Sequence, residues 1–165
     1  MDVPRAYLDT CILSRVVDGK ISEPERSALS DLLVMYQSAA VDLFTSTVAE
    51  VELRAIPERY RDAYIPIYEL FYSARKVEAL GVTHLGLAGV PAANASHLMW
   101  SNLHEVLPDA ADAEHAFVAF CNRAQVFLTV DHRTIINRRE RLQAVSGLRA
   151  MTPSEFLDEI RRKAT

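Results

Sequence analysis

Short unbroken apolar runs alternate along this chain with longer segments in which apolar residues recur at helical spacing. The runs are Ala6-Tyr7-Leu8-Asp9-Thr10-Cys11-Ile12-Leu13, Val41-Asp42-Leu43-Phe44-Thr45, Val126-Phe127-Leu128-Thr129-Val130 and Leu148-Arg149-Ala150-Met151. Each is predicted to be a short strand, by its length and its β-prone residues. Between them, Ser22-Glu23-Pro24-Glu25 has the form of a helix start, and Ala28, Leu29, Leu32, Leu33 and Tyr36 continue one apolar face. Ser46 or Thr47 is placed to cap a helix running through Val48, Val51, Ala55 and Ile56. Pro57 to Leu80 is helical in pattern, and Pro66 within it implies two helices or one kinked helix.

Gly81 to Ala95 is the most loop-like stretch, and a short helix is expected from Leu98 to Val106, with His97 and His104 at its surface. Pro108-Asp109-Ala110-Ala111-Asp112 opens a helix that is apolar nearly all round through Ala116, Val118, Ala119, Phe120 and Cys121, which implies deep burial. Arg133, Arg138, Arg139 and Arg141 read as a solvated loop, and Thr152-Pro153-Ser154-Glu155 as a capping box opening the last helix. Strands alternating with helices argue for an α/β fold, a three-layer α/β/α sandwich whose central sheet is mainly parallel.

With 165 residues, half of them hydrophobic, residues 1–165 are expected to form a single domain. Five Gly and seven Pro without a low-complexity tract or repeat argue against linkers and repeat architectures. No apolar stretch approaches the ~20 residues that cross a membrane, and no secretory leader is evident, so a soluble, cytoplasmic chain is expected. Cys11 and Cys121 lie in apolar contexts without metal-ligand spacing and are expected to be reduced core thiols. A formal charge of -4 speaks against a basic-tail nucleic-acid binder but leaves a nuclease open, because acidic residues gathered at a metal site are offset locally by the cation.

Four carboxylates change the picture. Asp9 interrupts the first apolar run, and burying an ionised carboxylate costs several kcal/mol unless a cation or hydrogen-bond donors meet it. Asp131 directly follows the third run, so two strands end at an aspartate, and in open parallel sheets ligands sit outside the carboxyl ends of the strands. On the helix after Thr47, Glu52 falls about 40° from Val48, inside the apolar stripe, and Glu50 about 200° away. Glu50 therefore reads as the partner in a capping box Thr47-Val48-Ala49-Glu50, and Glu52 either as an inward ligand or as a carboxylate at the edge of the stripe. Asp112 and His115 share a face at the positive end of their helix; Asp112 reads as a ligand or a cap, and His115 as a structural hydrogen-bonder or a proton carrier. Like charges gathered together raise one another's pKa unless a divalent cation sits among them, and an all-oxygen donor set favours Mg²⁺ or Mn²⁺ over zinc.

These residues carry a family resemblance. Tyr7-Leu8-Asp9-Thr10, Thr45-Ser46-Thr47-Val48 leading to Glu52-Leu53, Asp112-Ala113-Glu114-His115 with Ala119, Thr129-Val130-Asp131, and Thr152-Pro153-Ser154-Glu155-Phe156 resemble, in order, the successive signatures of a PIN domain. The similarity is to compact prokaryotic members that include VapC-like toxins. The resemblance implies a metal-dependent endoribonuclease in which Asp9, Glu52, Asp112 and Asp131 hold one or two Mg²⁺ or Mn²⁺ with Thr10 and Thr129 in support. It also implies an RNA substrate hydrolysed by water to 5′-phosphate and 3′-hydroxyl ends, a homodimer, and a cognate antitoxin as partner. The segment from Pro57 to Pro108 is longer than in the smallest such toxins. A PIN fold that captures RNA or scaffolds without cleaving it is the alternative. A haloacid-dehalogenase phosphatase would need an aspartate where Cys11 stands, and a phosphotransfer receiver would need a lysine after a late strand.

Overall fold

The computed structural model describes residues 3–47, 54, 56–58, 65–77 and 92–164. Five strands, β1 (Arg5–Leu8), β2 (Asp42–Ser46), β3 (Arg75–Val77), β4 (Val126–Leu128) and β5 (Arg149–Met151), form one sheet in the order β3-β2-β1-β4-β5. Every pairing in it is parallel. Seven helices are described: α1 (Cys11–Val17), α2 (Glu23–Gln37), α3 (Ile65–Ser73), α4 (Ala92–Val106), α5 (Ala110–Cys121), α6 (Arg139–Ser146) and α7 (Pro153–Ala164).

The strand period of two divides the core. Ala6 and Leu8 of β1 join Leu43, Val126 and Leu128 on one face, where α1, α2, α3 and α7 cover them through Ile12, Leu29, Leu32, Phe71 and Phe156. Tyr7 points the other way with Phe44, Phe127 and Ala150, and is covered by α4, α5 and α6 through Leu103, Phe117 and Leu142. The result is the expected α/β/α sandwich with a parallel sheet, its central strands apolar on both faces as helices on both sides require. Because the chain steps outward from β1 to β2 and β3 and then in the opposite direction through β4 and β5, the order reverses between β1 and β4. That is where an open parallel sheet leaves a crevice at its carboxyl edge.

Several elements differ from expectation. The first run is not one strand: β1 stops at Leu8 and the chain turns into α1. The Asp9 amide still reaches the Leu128 carbonyl at 2.9 Å, but the Thr10 carbonyl then accepts from Leu13 and Ser14. Ile12, Leu13 and Val16 pack against the core from a helix; a short apolar run cannot by itself distinguish a strand from a buried helical turn. In the described part of 57–80, Pro66 sits at the start of α3, while the junction before it, 59–64, lies outside the described residues, and Arg75-Lys76-Val77 is an edge strand that its two cations concealed. The helix expected from Leu98 begins at Ala92, while 81–91 lie outside the described residues. His97 is exposed as expected, but His104 is half-buried, with Trp100 at 4.5 Å between ring centroids.

The arginine-rich loop is largely helical, as a 3₁₀ turn at Ile136–Arg138 followed by α6. Its anchor is Leu142, fully buried, and the helix ends at Gly147, whose φ of +76° favours glycine. Cys121 is exposed at the end of α5 and Cys11 is only partly buried, so neither is a fully enclosed core thiol; both are free. The capping box at α7 is reciprocal as expected: the Thr152 amide donates to Glu155 Oε2 at 3.0 Å, and the Glu155 amide donates to Thr152 Oγ1 at 3.3 Å. Among the described residues no helix is long and apolar enough to cross a membrane.

Candidate active site at the carboxyl ends of β1 and β4

Asp9 and Asp131 leave the sheet on the two strands that flank the reversal of strand order. Asp9 is 2% exposed and is met by donors rather than by a cation. Thr129 Oγ1 donates to its Oδ2 at 2.7 Å, and the Cys11 amide donates to its Oδ1 at 3.3 Å. The Thr129 hydroxyl is fully engaged, because it also accepts the Asp131 amide at 3.1 Å and faces Cys11 Sγ at 3.1 Å. Burial and the charge of Asp9 push the Cys11 thiol up, so it stays protonated and donates to that oxygen. One hydroxyl thus ties the end of β4 to the carboxylate that ends β1.

Asp131 is held differently. Its Oδ1 accepts the Thr134 amide at 2.9 Å and its Oδ2 the Thr134 hydroxyl at 2.8 Å, the pattern of a helix cap three residues along. Burial would raise its carboxyl, but these bonds, the Arg133 amide and the charge of Arg15 outweigh that and hold it below the usual range.

Asp112 reaches the crevice from the first turn of α5. The cap of that helix is Asp109, whose Oδ1 accepts the Ala111 amide at 2.8 Å, so the capping role considered for Asp112 belongs three residues earlier. Burial, then the charges of Asp9, Asp109 and Asp131, push the Asp112 carboxyl up, and the Thr134 hydroxyl only partly offsets them. Asp112 on α5 therefore feels the carboxylates that follow β1 and β4. No ion pair between described residues reaches any of them.

His115, one turn further along α5, is buried between Tyr7 and Thr10. Tyr7 Oη lies 2.6 Å from Nδ1 and Thr10 Oγ1 lies 3.2 Å from Nε2. Burial raises the Tyr7 phenol far above its ordinary value, so it meets the ring as a neutral hydroxyl. Both ring nitrogens have partners, so His115 links Tyr7 to Thr10. It fixes Thr10, the residue between Asp9 and α1.

Of the residues singled out from the sequence, the structure thus gathers Asp9, Thr10, Asp112, Thr129 and Asp131 at one end of the sheet. Glu52 and Glu50, and with them the choice of helix ligand, lie outside the described residues. Thr134, Tyr7 and Arg15 carry parts of the site that the sequence reading did not assign. Thr134 had a signal, since Asp131-His132-Arg133-Thr134 has the spacing of an aspartate capping a turn.

The donor set fits a hard divalent cation in kind: it is all carboxylate and hydroxyl oxygen, it is partly buried, and Asp112 is destabilised by its acidic neighbours. It does not yet amount to a complete ligand shell, for among the described residues no group of three or more His, Cys, Asp or Glu side chains is placed to hold an ion. Comparison with family models, with curated proteins and with solved structures finds no match for this chain.

Proposed function

We propose that this chain is a divalent-metal-dependent endoribonuclease of the PIN kind, with Asp9, Asp112, Asp131 and Glu52 as the residues that hold Mg²⁺ or Mn²⁺. The observation that carries the reading is the crowding of Asp112 by Asp9 and Asp131 at the switch point of the sheet, with no ion pair between described residues reaching Asp112. A bound ion would supply a water of lowered pKa as nucleophile and neutralise charge developing on the phosphoryl oxygens. The chain's own part is positional. Thr129 and the Cys11 amide aim the two oxygens of Asp9, Thr134 clamps Asp131, and the buried Tyr7–His115–Thr10 chain holds the turn that presents Asp9. No side-chain nucleophile is required. A toxin's role beside a cognate antitoxin, and a homodimer, are parts of the same proposal that rest on the motif resemblance alone.

The second reading, an RNA-binding or scaffolding fold that does not cleave, is favoured by one observation: the described carboxylates do not by themselves make a cation-holding group. Incubation of single-stranded RNA with the protein separates the two. Cleavage to 5′-phosphate ends that needs Mg²⁺ or Mn²⁺, and that Asp9→Asn and Glu52→Gln abolish while Glu50→Gln retains, supports the nuclease. RNA that stays intact across metals while binding persists supports the scaffold. Loss of cleavage with Glu50→Gln and not with Glu52→Gln would move the helix ligand to residue 50.

A further inference from the structure

Beside the carboxylates the surface changes sign. A cleft of about 320 Å³ opens between the end of α1, the start of α2 and the turn after β4, with Val130 and His132, the neighbours of Asp131, in its wall. Arg15 lines it from α1, Lys20 from the α1–α2 connection and Arg133 from the turn. The acidic side chain in the lining, Glu25, is already committed: its Oε2 accepts the Ser154 amide at 2.9 Å and its Oε1 the Ser154 hydroxyl at 2.6 Å. Lys20 pairs outward with Asp18 at 3.0 Å. Arg15 and Arg133 enter no ion pair between described residues, although the charge of Arg15 reaches Asp131 at longer range, and Ser22, the cap residue of α2, gives its own helix no cap bond although it lines the same cleft.

Guanidiniums on a purely structural surface usually find carboxylates or spread over flat ground. Here two line a concavity from different elements, with the exposed Ser22 in the same lining, which is the donor set that a phosphodiester takes. Resting on the nuclease reading above, we infer that this cleft binds a backbone phosphate of the RNA strand adjacent to the one presented to Asp9, Asp112 and Asp131. The strand would then cross from a basic seat onto the acidic crevice, and the cleft would fix its register without reading its bases.

The test separates binding from cleavage. A fluorescein-labelled single-stranded RNA of twelve nucleotides is titrated in EDTA, so that no metal bridges the RNA to the carboxylates, against wild type, the Arg15→Gln/Arg133→Gln double variant, and Arg141→Gln/Arg162→Gln, on α6 and α7, as a charge-matched control. The double variant is expected to bind about tenfold more weakly at low salt, uniformly across RNA sequences, with the slope of log Kd against log salt reduced by about 1.4, or ~0.7 for each lost contact. The control should match wild type, and Arg15→Lys/Arg133→Lys should recover most of the slope. With metal present, KM for RNA should rise in step with Kd. Equal affinities and slopes in wild type and double variant, or no RNA binding by wild type, overturn the inference. Cleft-dependent RNA binding without metal-dependent cleavage keeps the cleft and removes the nuclease reading. Metal-dependent cleavage with an unmoved KM does the reverse.

Discussion

Two carboxylates on this fold, Asp112 at the β1–β4 crevice and Glu159 on α7, meet opposite surroundings. Glu159 accepts from Arg149 Nη1 at 2.7 Å and from Lys163 Nζ at 2.6 Å, and these bonds hold it down at about 2. Asp112 meets burial and three other aspartates, and its carboxyl is pushed up. The chain therefore has cations enough to satisfy a carboxylate where the purpose is to pin α7 against β5. At the crevice no ion pair between described residues reaches Asp112, although the charge of Arg15 acts on Asp131. Like charge concentrated where the sheet opens costs stability unless a ligand relieves it, and the proposed ligand site at the crevice rests on that contrast.

That contrast can be broken at either end. The largest effect is expected from Asp131→Asn, which should lower RNA cleavage by more than the ~100-fold that loss of an outer partner causes, measured with saturating Mn²⁺, while the far-ultraviolet spectrum stays that of wild type. Next is Thr129→Val, which keeps shape but removes the hydroxyl joining Asp9, Asp131 and Cys11. It should reduce cleavage by about 10–100-fold and, because it strands buried polar atoms, cost about 1–3 kcal/mol in urea unfolding. If Thr129→Val leaves both unchanged, the hydrogen bonds that aim Asp9 are idle.

The smallest effect belongs to the satisfied end. Glu159→Gln should leave cleavage alone and cost roughly 0.5–1 kcal/mol at neutral pH, the worth of a partly exposed ion-pair network. Because the folded carboxyl lies below its ordinary value of 4.5, its contribution is complete above that value and fades as pH falls toward about 2. The stability gap between wild type and Glu159→Gln should therefore close over that window, and a gap constant down to pH 2 would show that Arg149 and Lys163 do not hold Glu159 in solution.

Architecture was legible in the sequence because period-two and helical patterns both survive in a sheet buried on two sides. β2, β4 and β5 fall within a residue or two of their expected ends, and the α7 cap lies where Thr152-Pro153-Ser154-Glu155 placed it. β3 was not legible, since an edge strand of two cations and a valine has no apolar period to show. α1 was concealed by its own hydrophobicity, and α6 by arginines that mask the single buried anchor, Leu142. At the site, Asp9 and Asp131 stood out because a carboxylate beside an apolar run is conspicuous. The clamp by Thr134 is local, three residues from Asp131, whereas the buried chain from Tyr7 through His115 to Thr10 joins residues up to 108 positions apart, which only the folded sheet brings together.

The sharpest measurement is thermal melting of wild type and Asp112→Asn across a titration with MgCl₂ and MnCl₂. If like charge accumulates at the crevice for a cation to relieve, wild type should gain about 5–10 °C at metal well above its Kd. Asp112→Asn should then melt above wild type without metal and respond little to it. A wild type whose melting ignores both metals, together with an Asp112→Asn variant that melts lower than wild type in their absence, would contradict it.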